Sequence, residues 1–134
     1  MPLFNWLRDT LGLARNHFDR VGHFLQGFVP AMIAREFLLR FSPLKPGKVL
    51  AFLCIGIALA ISAFWELIEW WTVVLFYPTA GPEWLGTQGD PWDAQWDMFM
   101  AVAGAVTSIL LLSGTHDRSM TKTQELSDET GEMI

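Results

Sequence analysis

The run "VLAFLCIGIALAISAFW", Val49 to Trp65, carries no charge, and apolar character continues past Glu66 and Glu69 to Tyr77. A stretch of this length crosses a hydrocarbon core of about 30 Å as a helix, because lipid offers the backbone no other hydrogen-bonding partner. A second run from Pro91 to about Ser113 reads the same way, with Asp90 and Pro91 in the order of an N-cap followed by proline at the first helical position. Between Asn16 and Leu39 a weaker segment is apolar from Val21 to Ala34 except for His23 and Gln26. It is expected to be a tilted or protein-shielded span, the alternative being an amphipathic surface helix. Leu3, Phe4, Leu7 and Leu11 share one face of a short N-terminal helix suited to the membrane interface. The fold class is therefore all-α: a polytopic membrane protein with about three transmembrane helices and a short interfacial helix before them.

Composition agrees, with 51% hydrophobic and 17% charged residues, seven Trp and ten Phe. The net charge of −5 is concentrated in residues 121–134, where Glu125, Asp128, Glu129 and Glu132 face a single Lys122. Elsewhere the balance is near neutral, so a nucleic-acid partner is not expected; the lipid bilayer is. Residues 1–117 read as a membrane domain and 118–134 as a polar, flexible tail. The N-terminus has neither a basic opening nor a continuous apolar stretch, so no cleaved secretory signal is expected. The lone Cys54 excludes an intrachain disulfide and a CxxC metal site.

Arg35, Arg40, Lys45 and Lys48 crowd the first connection, whereas Tyr77 to Trp92 contains no Lys or Arg. The first connection and the C-terminus are thus expected in the cytoplasm and the second connection outside. Arg8, Arg15 and Arg20 on the outer side run against this trend. Trp65, Trp70, Trp71, Trp84, Trp92 and Trp96 gather at the outer end, as an interfacial belt would.

That end also collects the ionisable groups. Asn16, Asp19, Arg20, His23, Gln26, Gly27 and Pro30 fall on one stripe of the first span, Ser62, Glu66 and Glu69 on one face of the second, and Asp90, Asp93 and Asp97 on a stripe of the third. Asp90 is better explained as a helix start; His17 and Glu36 point away from the stripe and read as interfacial, and His116 is given no chemical role. Carboxylates one or two turns into an apolar helix each cost on the order of 3 kcal/mol unless paired, protonated or metal-bound. Five of them against Arg20 and His23 call for protons or a cation. Oxygen-rich ligation with one imidazole suits a divalent metal whose identity the residues leave open. Asp19, His23, Asp93 and Asp97 are the candidate metal ligands, and Glu66 and Glu69 the candidate catalytic bases. The chain is then a metal-dependent hydrolase or transferase acting on a lipid or envelope substrate. A proton- or ion-coupled transporter and a non-catalytic membrane scaffold are the alternatives, so whether it is an enzyme stays undecided. No G-x-S-x-G, phosphate loop or H-E-x-x-H is present.

The blocks "RNHFDRVGHFLQGFVPAMIAREFLLR", "SAFWELIEWW" and "GTQGDPWDAQWDMFMA" resemble the YjdF-like inner-membrane proteins of bacteria, from Leu3 to about Met120. The resemblance implies a multi-pass protein of the bacterial inner membrane and no particular activity. Members of that family carry further hydrophobic helices before the point matching Pro2. Self-association, or helices of that kind, is the expectation for enclosing a site that three helices wall off poorly.

Overall fold

In the computed structural model, residues 2–12, 17–77 and 90–131 are described. They form four helices: α1 (Pro2–Leu11), α2 (Phe18–Phe41), α3 (Lys48–Phe76) and α4 (Asp93–Gly131). No strand occurs among these residues. Two helices, α3 and the Asp93–Thr123 part of α4, are long and apolar enough to cross a membrane. α2 falls short of that apolarity, yet it packs along both, and its buried face is His23, Gly27, Ala31, Ala34 and Arg35. Its His23 and Arg35 side chains thus face protein, as ionisable groups within a membrane bundle do. α1 exposes Leu3, Trp6 and Leu11, as the short amphipathic helix expected there would.

Small residues set the packing. A Cβ at Gly27 would overlap the backbone carbonyl of Ala101, and one at Gly104 would overlap that of Phe24. α2 and α4 therefore meet backbone to backbone, the close approach by which membrane helices gain van der Waals contact without a hydrophobic driving force. Ala31, Ala34, Leu50, Cys54, Ala58 and Ala105 continue the seam as a core, with Leu38, Leu39 and Ile109 against it. Cys54, the chain's single cysteine, is wholly buried there. The outward faces of α3 and α4 display Phe52, Leu75, Leu110 and Leu111, the pattern of a bundle bathed in lipid rather than water.

The helix ends follow local chemistry. Ser42 closes α2, its N–H and hydroxyl both donating to the Leu38 carbonyl, at 3.1 and 2.6 Å. Asp90 prepares α4 by accepting the Trp92 N–H on Oδ1 at 2.9 Å. The regular helix then begins at Asp93 rather than at Pro91, one short turn later than the sequence suggests. At its far end α4 continues through the polar residues after 118 as far as Gly131. Extending an existing helix requires no new nucleus, so polar residues with fair propensity continue what the apolar span begins.

Candidate functional site

α2 begins, α3 ends and α4 begins at the same end of the bundle, and the acidic groups meet there. His23 is 4% exposed and occupies the centre. Its Nε2 lies 3.8 Å from Oδ1 of Asp19, one turn earlier in α2, and 3.5 Å from Oε1 of Glu66 on α3. Its Nδ1 lies 3.5 Å from Oγ of Ser62, one turn below Glu66. With the proton on Nδ1, the ring donates to Ser62 and turns the Nε2 lone pair toward the carboxylates; such a partner on the second nitrogen fixes tautomer and orientation in metal-binding histidines.

Asp97 completes the group from α4. One ligand atom each from Asp19, His23 and Asp97 lie within 4.8 Å of one another. Asp97 is 3% exposed, and its Oδ1 has no hydrogen-bond partner among the described residues. Oε1 of Glu66 is likewise buried without one. Two buried carboxylate oxygens lacking donors beside an imidazole form an incomplete electrostatic arrangement, since an unsatisfied buried charge is costly.

The remaining predicted site residues lie around this cluster. Asp93, one turn nearer the end of the bundle, is buried and stands 3.7 Å from Nη2 of Arg20, which also reaches Oδ2 of Asp90 at 3.2 Å. The Arg20 guanidinium lies 5.2 Å from the centroid of the Trp96 ring. Arg20 therefore ties the start of α4 to α2 and supplies positive charge at the rim. Glu69 accepts a 2.7 Å hydrogen bond from the Trp65 indole and lines a cavity of about 470 Å³ between α3 and α4 together with Glu66, Asp93 and Gln95. Of the tryptophans expected to form a belt, Trp65, Trp70, Trp71, Trp92 and Trp96 are exposed; Trp84, like Asn16 of the α2 stripe, lies outside the described residues.

A second polar cluster sits at the opposite end of the bundle. Arg35 is 4% exposed; its Nη2 donates to Oδ1 of Asp117 and its Nη1 meets Nδ1 of His116, both at 2.7 Å. Glu36 pairs with Arg40 at 2.8 Å and with Nε2 of His116 at 3.8 Å. Read from the sequence, Arg35 is a flanking charge and His116 the start of the tail. The available signal is periodicity: Arg35 stands one turn after Ala31 on the His23–Gly27–Ala31 face.

Comparison with known proteins accords with this architecture. Residues 1–118 match the family model described as "Predicted membrane protein (DUF2238)". The chain belongs to the DUF2238 membrane-protein family. The "Inner membrane protein YjdF" of Escherichia coli (strain K12) is 47% identical over 120 residues, or 90% of this chain and 57% of that relative. The chain thus spans little more than half the length of this relative. The resemblance drawn from the three sequence blocks holds. No solved structure matches.

Proposed function

We propose that this DUF2238 chain is an inner-membrane protein that holds a divalent cation between Asp19, His23 and Asp97 and uses it in a hydrolytic or transfer reaction on a lipid or envelope substrate. Asp93 completes the charge around the cation through Arg20, and Glu66 is the general base, with Glu69 assigned to substrate. The observation that carries this reading is the Asp97 carboxylate: 3% exposed, one oxygen unpaired, within ligand distance of Asp19 and His23. A divalent ion would supply the missing positive charge and would polarise a substrate oxygen or a bound water. Glu66, 3.5 Å from the imidazole, is close enough to take a proton from a nucleophile in that space. By the distribution of Lys and Arg, the cluster faces outward and the C-terminus lies in the cytoplasm, with α2, α3 and α4 each crossing once.

The protein, loaded with Mn²⁺ or stripped with chelator, is incubated with a total membrane-lipid extract, and mass spectrometry follows released or transferred headgroups. Metal-dependent product formation that Glu66→Gln abolishes while keeping the metal is the expected result. Stoichiometric metal with no product from any lipid class contradicts the catalytic assignment. The Glu66–His23–Ser62 contacts also suit proton exchange, and proton flux through reconstituted vesicles, lost in His23→Gln, would favour a transporter over the enzyme.

A further inference from the structure

The cavity beside the cluster opens between α3 and the apolar part of α4, the two segments able to cross a membrane. Ala63, Leu67 and Trp70 of α3 and Ala94 and Met98 of α4 form its apolar lining, whereas Glu66 and Glu69 stand on the α3 wall and Asp93 and Gln95 on the α4 wall. Leu67 and Trp70 are 44% and 50% exposed, so the opening is continuous with the lipid-facing surface of α3. Its volume of about 470 Å³ suits a headgroup with its glycerol rather than a whole lipid. The polar requirement is specific. Glu66 lines the cavity while its Oε1 turns toward His23 at 3.5 Å, and Glu69 is held in place by the Trp65 indole. A primary ammonium brings positive charge and three N–H donors, whereas a quaternary ammonium brings charge without donors. An anionic headgroup would face three carboxylates, those of Glu66, Glu69 and Asp93.

We propose that this cavity seats a phospholipid bearing a primary-ammonium headgroup, its acyl chains leaving along the exposed face of α3. The ammonium group sits between Glu66 and Glu69, with the Trp70 ring at its side. This rests on the proposed function only through Glu66, which faces both the cavity and His23, and it names the class of lipid that the cation site would act on.

Native mass spectrometry of the detergent-purified full chain with equimolar phosphatidylethanolamine, phosphatidylcholine and phosphatidylglycerol tests the assignment. Mn²⁺ binding is measured on the same samples. The expected result is retention of phosphatidylethanolamine over each competitor by at least about fivefold. Glu69→Gln should remove the preference yet keep Mn²⁺ binding, and Ala63→Phe should exclude all three lipids by filling the cavity. Equal retention of the three lipids, or an ethanolamine preference that survives both variants, overturns the proposal. So does displacement of the lipid by glycerophosphoethanolamine at equal concentration, which would assign the cavity to a soluble amine, or a lipid-free dimer, which would assign it to a second copy. Loss of Mn²⁺ binding with the lipid preference intact refutes the cation site alone.

Discussion

His23 Nε2 and Glu66 Oε1 stand 3.5 Å apart, joining the start of α2 to the far part of α3 across most of α2, the short connection after Phe41 and much of α3. Neither side chain is free to leave. His23 is fixed by the α2–α4 seam around Gly27, and Glu66 projects one turn above Ser62, which is wholly buried. The acidic site is therefore a consequence of how tightly small residues let three helices approach.

That dependence predicts the effect of bulk at the seam. Gly27→Leu or Gly104→Leu places a side chain on a neighbouring backbone carbonyl, an obstacle that cannot rotate away. Overpacking of this kind costs about 1–3 kcal/mol or more, so both variants should melt at lower temperature in detergent. Cys54 provides the readout: a buried thiol should resist maleimide in the folded protein and react in step with the melt. Rapid labelling of the folded parent would contradict the core described above.

The Arg35 cluster predicts energetic coupling across the far end of the bundle. Arg35 is buried, but Asp117 is 38% exposed, and solvent screening weakens the pair accordingly. A double-mutant cycle of Arg35→Met and Asp117→Ala should give a coupling energy of roughly 1–2 kcal/mol. Asp117→Ala alone should destabilise more than the double variant, because it leaves a buried guanidinium with a partner removed. Strictly additive effects would show that the contact carries no stability.

Arg20 anchors the first turn of α4 through Asp90 and Asp93. Arg20→Gln should accelerate amide exchange over residues 92–96, with α4 beyond Ala101 unchanged. Uniform acceleration along the helix would instead mean that Arg20 supports the whole bundle.

Orientation is tested with Cys54→Ala as background. A cysteine at Lys45 should react with a membrane-impermeant maleimide only after cells are opened, and one at Tyr77 in intact spheroplasts. The reverse pattern would invert the topology inferred from the basic first connection.

The two apolar spans were legible because uncharged length suffices to identify them, and the facing of Glu66 with Ser62 followed from helical spacing alone. Asp93 and Asp97 share a stripe, but one turn of helix separates them by about 6 Å in depth, enough to assign one to Arg20 and the other to His23. Such a division depends on how far neighbouring helices slide, which spacing within one helix does not encode. The helical continuation past residue 118 was hidden because polar composition resembles that of a disordered tail, while its nucleus lies in the preceding span. Arg35 reads as a flanking charge because a cation at the edge of an apolar run ordinarily meets solvent, whereas its spacing from Ala31 places it on the buried face of α2.

Elemental analysis of the purified protein beside Asp97→Asn, both at matched helicity and melting temperature, tests the central claim most directly. The account predicts about one divalent ion per parent chain after loading and removal of excess metal, and a loss of at least about tenfold in affinity for the variant, the scale on which removing a metal-site partner acts. A folded parent that retains no metal, or a variant that retains as much as the parent, would contradict it.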